Sequence, residues 1–208
     1  MKSTPRRKAA APAAPEPGTR ERVLQVARAM IAKRGNAAIS LVDVAAEAGL
    51  SRQALYLMFG SRSGLLLAVV DDLDDTSQVP ARLAALRQGM PATDSFEPYL
   101  RTWFEYIPVV LPVARALLAA AATGDADASR AWDSRMQKLR GGYLHLSKGL
   151  KSAGLLREGW TPEAAADWIF VQTHVDVWQH LVVESGWKPQ AAVARILSSL
   201  REALIKPG

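Results

Sequence analysis

The sequence predicts an all-α protein in which an N-terminal three-helix unit with a helix-turn-helix precedes a C-terminal helical bundle. Apolar residues recur at helical spacing along most of the chain. No segment shows the two-residue alternation of a strand or a hairpin turn, and there is no internal repeat. Glycines and prolines divide the C-terminal part into helix-sized segments at Pro91, Gly124, Gly141-Gly142, Gly159 to Pro162 and Gly186 to Pro189.

Residues 1–18 form a separate segment. They contain five prolines and glycines and a basic cluster, and they offer little apolar surface to bury. This composition predicts a disordered tail. Its positive charges suit contact with DNA, although a tail that only increases solubility fits the composition equally well.

Two amphipathic helices follow the tail. The first begins at Thr19, a suitable N-cap, and ends at Gly35. Its apolar face carries Val23, Ala27, Met30 and Ile31. The second begins after Ser40 and ends at Gly49, and its inward-facing residues are Leu41, Val44, Ala45 and Ala48.

The turn after the second helix has the features of a helix-turn-helix corner. Ala45 is small enough for two helices to cross closely, and Gly49 tolerates the left-handed conformation that ends a helix. Ser51 is placed to cap a third helix that extends to about Phe59. A fourth helix is predicted to begin near Arg62.

The rest of the chain is predicted to be helical as well. The fourth helix carries a run of aspartates that we interpret as a solvated acidic face: Asp71, Asp72, Asp74 and Asp75. Two long helices near the C-terminus are predicted over roughly residues 161–184 and 188–205.

Charge and composition narrow the function classes. Residues 1–64 hold 11 Lys and Arg against 4 Asp and Glu, whereas the remaining residues hold 15 against 16. The excess positive charge therefore lies in the N-terminal third, as expected for a polyanion-binding module on a neutral body. The absence of cysteine excludes disulfides and thiolate chemistry. Since the sequence shows neither a secretory signal nor an apolar run of about 20 residues, we expect a soluble, cytoplasmic protein with no membrane contact.

Several polar residues occupy positions that face DNA in a helix-turn-helix. Arg52 and Gln53 lie at the exposed start of the third helix, where Arg can pair with guanine and Gln with adenine in a major groove. Tyr56 follows one turn later and suits a phosphate contact. The other predicted DNA contacts are Thr19, Arg20, Ser40, Ser51, Ser61 and Arg62.

This stretch resembles the TetR/AcrR family of bacterial regulators over about residues 19–66. The matching positions are Ser40, Val44-Ala45, Ala48-Gly49-Leu50-Ser51, Leu55-Tyr56, Phe59, Arg62 and Leu65. Two positions depart from the usual pattern, because Met58 stands where members often carry His and Arg62 replaces the commoner Lys. Beyond this stretch the chain is similar to the family only in length and architecture.

The resemblance implies a homodimer that binds double-stranded DNA at a palindromic operator. Repression relieved by a small-molecule effector is the default in the family, and a minority of members activate. The expected division is a disordered tail at residues 1–18, a DNA-binding domain at 19–64 and an effector-binding and dimerisation domain at 65–208.

The resemblance also places the dimer interface on the last two helices. The residues that fit are Trp168, Val171, Val175, Trp178 and Val182 on the first, and Ala192, Ile196, Leu200 and Leu204 on the second. A single apolar stripe more often packs inside its own chain. The assignment therefore depends on the family and on the two-fold symmetry of a palindromic operator.

A mixture of aromatic and polar residues in the body suits a pocket for a small hydrophobic effector. These residues are Trp103, Phe104, Tyr106, Tyr143, His145, Phe170, Gln172 and His174. The alternative for each of them is core packing with a satisfied polar tip.

Two rival functions remain at this stage. An enzyme would need a catalytic constellation, and the only metal-like pattern is Asp176 with His180 and His174. We therefore expect no enzymatic activity, no cofactor and no metal site. The other rival is a helical ligand sensor or interaction protein that has lost DNA binding. The residue types that argue against it, because a packed body does not require them at this spacing, are Arg52, Gln53, Tyr56 and Arg62.

Overall fold

The computed structural model describes residues 18–34 and 39–207, so most of the predicted tail and the predicted helix end at Gly35 lie outside it. The all-α prediction is confirmed. The N-terminal helices are α1 (Thr19–Arg34), α2 (Leu41–Glu47) and α3 (Arg52–Phe59). The central helices are α4 (Arg62–Ser77), α5 (Val79–Gly89), α6 (Ala92–Ala122) and α7 (Ala126–Ser152). The C-terminal elements are α8 (Pro162–Gln172), α9 (Val175–Trp178), a π-helical turn (Gln179–Glu184) and α10 (Pro189–Leu204).

Three serine caps fix the starts of α2, α3 and α4. The hydroxyl oxygens of Ser40, Ser51 and Ser61 each accept a hydrogen bond, at 3.0–3.1 Å, from the backbone N–H three residues later. Such caps satisfy backbone donors that a helix start otherwise leaves unpaired. Gly49 has φ +68°, as the predicted helix end requires. The predicted boundaries of these helices are therefore confirmed.

The fourth helix links the N-terminal unit to the body. Only two residues separate it from α3, and its apolar residues Leu65, Leu66 and Val69 are fully buried. The predicted domain boundary between residues 64 and 65 falls within its first turn, so α4 is shared by both parts of the chain.

The longest helix, α6, is the centre of the body. Helices α4, α5, α7 and α10 all pack against it. By length and composition it is the one described helix apolar enough to cross a membrane, but 56% of its apolar window is buried inside the protein. This burial is typical of a core helix, since α6 supplies buried side chains along almost its whole length.

Two predicted helix breaks differ from the structure. Gly141-Gly142 does not interrupt α7. The glycine at position 142 serves close packing, since its missing side chain leaves room for the Tyr99 hydroxyl. Conversely, the helix predicted over residues 161–184 is broken between α8 and α9 at Thr173 and His174. The Thr173 hydroxyl donates to the Ile169 carbonyl, and its own carbonyl accepts from the Trp103 indole at 2.9 Å. The Thr173 carbonyl thus has a side-chain donor in place of a helical N–H, whereas the Ile169 carbonyl also keeps its helical partner, the Thr173 N–H at 3.0 Å.

The acidic run on α4 is not a uniformly solvated face. Asp72 forms an ion pair with Arg28 of α1 at 3.0 Å. Asp74 accepts hydrogen bonds from Tyr106 and Arg135, whereas Asp75 is exposed. The prediction was wrong for Asp72 and Asp74 because their basic partners lie far away in the sequence.

Candidate DNA-binding surface and ligand cavity

The start of α3 presents two side chains of base-reading type to solvent. Arg52 and Gln53 are both exposed, and the Ser51 cap fixes the helix directly before them. The Arg52 Nη2 donates to the Tyr56 hydroxyl at 3.3 Å, and its guanidinium lies 5.2 Å from the centre of the Tyr56 ring. These three residues therefore form one polar surface on the exposed side of the helix-turn-helix.

Each of the three capping serines starts one of the helices α2, α3 and α4. A serine oxygen that accepts from a backbone N–H keeps its own hydrogen, so each hydroxyl can still donate to a phosphate oxygen. Arg20, near the start of α1, is exposed, and its guanidinium lies 5.5 Å from the centre of the Phe59 ring.

Two of the predicted DNA contacts are placed differently from the exposed residues of α3. Thr19 is the first residue of α1 and not its N-cap, and its side chain is only 7% exposed. The Arg62 Nε donates to the Ile39 carbonyl at 2.8 Å, which ties the start of α4 to the residue before Ser40. The Ile39 carbonyl lies before the start of α2 and has no helical N–H as its partner, so it needs such a donor.

A contact that the sequence analysis missed joins α4 to the start of α7. The buried Ser63 hydroxyl donates to the Asp125 carboxylate, which also caps α7 through the N–H groups of Asp127 and Ala128. The Ser63 hydrogen bond, followed by those from the backbone, lowers the pKa of Asp125. No local pattern signals this pair, because 62 residues separate its members.

A cavity of about 590 Å³ lies between α4, α5, α6 and α7. Three of the eight predicted pocket residues line it: Trp103, Tyr106 and His145. The other five, which are Phe104, Tyr143, Phe170, Gln172 and His174, lie outside its lining. Packing explains most of these differences, because Phe104 stacks on Trp178, Tyr143 is fully buried and His174 caps α9.

One end of the cavity is a neutralised polar cluster. Tyr106 donates to Asp74 at 2.5 Å, and Arg135 of α7 forms an ion pair with the same carboxylate. Burial and the bond to Asp74 together raise the pKa of Tyr106 well above its usual range. The hydroxyl therefore remains a hydrogen-bond donor.

The other end of the cavity is positively charged. Arg87 of α5 donates to the Tyr99 hydroxyl at 3.0 Å, over the place where a Gly142 side chain would otherwise lie. The His145 Nε2 lies 3.2 Å from the Arg87 carbonyl oxygen. Within residues 18–34 and 39–207, no carboxylate forms an ion pair with Arg87.

Most of the predicted dimer stripe lies in the core of a single chain. Val175, Trp178, Ala192, Ile196, Leu200 and Leu204 are all less than 5% exposed, and Val182 is half-buried. Trp168 and Val171 are 38% and 54% exposed. Val183 and Trp187, which were not predicted, are also exposed. The stripe on α10 faces its own protomer because α6 and α8 cover it.

The residues of the metal-like pattern contact different partners. The His174 Nδ1 lies 3.2 Å from a carboxylate oxygen of Asp176, whereas the His180 Nδ1 lies 2.6 Å from one of Glu184. In the described part of the chain, no group of three or more His, Asp or Glu side chains is arranged to hold a metal ion.

Comparison with known proteins agrees with this architecture. The family model described as bacterial regulatory proteins, tetR family, matches residues 23–69, which run from within α1 to the first half of α4. None of the curated proteins compared matches the chain.

Solved structures match nearly the whole chain. One is a TetR-family transcriptional regulator from Pectobacterium atrosepticum, with 26% identity over 91% of this chain and 96% of that one and a TM-score of 0.62. SmeT from Stenotrophomonas maltophilia, in complex with triclosan, has 18% identity over 92% of this chain and 93% of its own, with a TM-score of 0.73. NalD from Pseudomonas aeruginosa has 18% identity over 91% and 97%, with a TM-score of 0.67. The N-terminal domain therefore belongs to the tetR family of bacterial regulatory proteins, and the chain, which shares the fold of such regulators along most of its length, is a DNA-binding transcriptional regulator.

Proposed function

We propose that the protein is a homodimeric, cytoplasmic repressor that binds a palindromic operator and is released from it by a small molecule in the α4–α7 cavity. The exposed pair Arg52 and Gln53 at the capped start of α3 is the observation that carries this proposal. In this arrangement residues 19–64 bind DNA and residues 65–208 bind effector and partner, with α4 belonging to both.

The base-reading step follows from the position of this pair. A helix-turn-helix places the N-terminal residues of its second helix against base edges in the major groove. There Arg52 can donate two hydrogen bonds to guanine, and Gln53 can pair with adenine. Phosphate contacts, which set register without reading sequence, are assigned to Arg20, Ser40, Ser51, Tyr56 and Ser61.

The release step uses α4 as the link between cavity and DNA. This helix carries Asp74 at the cavity and, near its start, Ser63, whose side chain contacts the cap of α7. A ligand that favours one position of α4 also favours one spacing of the two α3 helices in the dimer. Binding across a palindrome requires a spacing of about 34 Å, so a different spacing releases the operator.

The related structures support repression and a small ligand. SmeT and NalD are described as repressors of multidrug efflux pumps, and SmeT was solved with triclosan. The dimer surface is proposed around the exposed apolar residues of α8 and of the segment after α9. Of nine large apolar side chains exposed in the described residues, four lie between residues 168 and 187: Trp168, Val171, Val183 and Trp187.

The test is selection of bound sequences from random duplex DNA at about 150 mM salt, because affinity for DNA depends steeply on salt. The wild type is compared with Arg52→Ala/Gln53→Ala. The matched control is Arg157→Ala/Gln137→Ala, which removes the same groups from exposed positions on the body. We expect a palindrome that is enriched by the wild type and the control and lost with the α3 variant. If no site is enriched, the protein is instead a ligand sensor that does not bind DNA.

The release step has a separate test. Spin labels on the two α3 helices of the dimer report their distance with and without a ligand that weakens operator binding. We expect the distance distribution to move away from the DNA-bound spacing. An unchanged distribution would show that release works by another route.

A further inference from the structure

The charges that line the cavity are unequally distributed between its ends. At the Asp74 end, Tyr106 and Arg135 both contact the same carboxylate, so its negative charge is already compensated. At the Arg87 end, the guanidinium contacts the Tyr99 hydroxyl and ring but, among the described residues, forms no ion pair with a carboxylate. Lys138, between Arg135 and Gly142 on α7, also lines the cavity and carries a second positive charge. The cavity therefore has a net positive charge at the Arg87 end.

The two ends are separated by two helical turns. Tyr99 and Tyr106 lie seven residues apart on α6, and Arg135 and Gly142 lie seven residues apart on α7. At a rise of 1.5 Å per residue this places the ends about 10 Å apart. The wall between them is apolar and aromatic, with Leu83, Trp103 and Leu139.

An internal glycine maintains the positive end. Residue 142 lies within α7, where glycine disfavours a helix, yet a Cβ there would lie 2.0 Å from the Tyr99 hydroxyl and 3.4 Å from an Arg87 nitrogen. The arrangement of Arg87 and Tyr99 at the cavity wall thus depends on this glycine. Arg87 is half-buried and has no acidic partner among the described residues, which is electrostatically unfavourable. A bound anion would compensate its charge.

We propose, resting on the function proposed above, that the cavity ligand is an elongated apolar carboxylate whose acid group pairs with Arg87 and whose body lies along Trp103. The guanidinium can bind a carboxylate through two parallel hydrogen bonds. A volume of about 590 Å³ suits a ligand of this size. An organic cation would be repelled by Arg87 and Lys138. The one carboxylate among the lining side chains, that of Asp74, already contacts Tyr106 and Arg135.

The test uses three probes of matched length: decanoate, decanamide and decyltrimethylammonium. Binding of each to the full-length dimer is measured by calorimetry without DNA. We expect decanoate to bind at least about tenfold more tightly than decanamide, because hydrogen bonds to a charged partner are worth about 1.5–3 kcal/mol. The cationic probe is expected to bind most weakly. If decanamide or the cation binds as well as decanoate, or if none of the three binds, the ligand class is wrong.

A matched pair of variants assigns the acid group to Arg87. Arg87→Gln is expected to weaken decanoate binding about tenfold to a hundredfold and to leave decanamide binding unchanged, which also shows that the cavity remains folded. The control Arg82→Gln removes a guanidinium from the same helix, where it contacts Glu105 outside the cavity, and should leave both affinities unchanged. Equal decanoate affinity in the wild type and Arg87→Gln would overturn the assignment.

Operator binding separates this inference from the proposed function. If decanoate binds through Arg87 but does not change operator affinity, the ligand class stands and ligand-controlled release is wrong. If operator DNA is released only by decanamide or the cationic probe, release stands and the anionic ligand class is wrong.

Discussion

Tyr56 and Arg52 are neighbours that we expect to contribute differently to operator binding, Tyr56 to affinity and Arg52 to sequence preference. Their side chains contact each other on the exposed surface of α3, so the aromatic ring holds the guanidinium near the helix start before DNA arrives. Holding a long side chain in place reduces the conformational entropy lost on binding. Tyr56 therefore orients its neighbour, in addition to the phosphate contact that we propose for its hydroxyl.

Tyr56→Phe keeps the ring and removes the hydroxyl. We expect operator binding to weaken by about 0.5–1.5 kcal/mol, the usual worth of one hydrogen bond, with the preferred sequence unchanged. Arg52→Ala, in contrast, should cost about 1–3 kcal/mol and relax the preference at one base pair. Binding to a library of operator variants measures both effects. A changed consensus for Tyr56→Phe would show that the hydroxyl reads a base.

Asp125 allows a pH test of the contact between α4 and α7. Its carboxylate has a lowered pKa in the folded protein, so it stabilises the fold above its unfolded pKa, and this stabilisation is lost as pH falls through the folded pKa. Asp125→Asn keeps an oxygen for the helix cap and removes the charge. We expect the wild type to be more stable at neutral pH, by less than about 1 kcal/mol at this partly exposed site, and the difference to shrink below about pH 4.

Urea unfolding of both proteins between neutral and acid pH measures this difference. Asp133→Asn is the control, because Asp133 is exposed on the same helix and caps nothing. A stability difference for Asp125→Asn that is constant over the whole pH range would show that the charge is not involved.

At the scale of elements, α7 contains two adjacent glycines with opposite roles. Gly141 is exposed, with no atom within 4 Å of a Cβ built on it, whereas the same atom on Gly142 would overlap the Tyr99 hydroxyl. Gly141→Ala should therefore stabilise the protein by about 0.5–1 kcal/mol through helix propensity. Gly142→Ala should destabilise it by about 1–3 kcal/mol because the cavity wall is overpacked.

Thermal unfolding of the two single variants tests this prediction directly. Adding Tyr99→Phe to Gly142→Ala removes the nearest overlapping atom and should restore part of the lost stability. If Gly142→Ala is as stable as Gly141→Ala, the close approach of α6 and α7 at this point is not a constraint.

The elements that the sequence predicts well are those with local signals. Serine caps and left-handed glycines act within four residues, so the bounds of α2 and α3 and the start of α4 can be read directly. The break at Thr173 and the helical Gly142 depend instead on Tyr143, Trp103 and Tyr99, which lie 30 or more residues away. Helical spacing likewise shows that α10 has an apolar face, but not whether that face meets its own chain or a partner.

The same distinction applies to the two sites. The proposed DNA-reading surface lies on one short helix, and Arg52, Gln53 and Tyr56 could be proposed from spacing alone. The cavity is assembled from four helices, and its charged residues Asp74, Arg87 and Arg135 come together only in the fold. Sequence reasoning found three aromatic or polar wall residues and missed these charges.

At the scale of the whole molecule, the exposed apolar residues of the C-terminal region should control assembly. Val171 is 54% exposed on α8, so Val171→Asp should leave the protomer folded and place a charge in the proposed interface. Burying an unpaired carboxylate there is costly, and we expect the dimer to dissociate at least about a hundredfold more readily. Sedimentation over a concentration series measures this change.

Met90→Asp provides the matched control for this experiment. Met90 is 41% exposed at the junction of α5 and α6, outside the proposed interface, and the charge introduced is the same. It should remain dimeric. Because a palindrome is bound by two α3 helices at once, Val171→Asp should also lose most of its operator affinity while it retains weak binding to a half-site. A Val171→Asp protein that stays dimeric and binds the operator normally would place the interface elsewhere on the body.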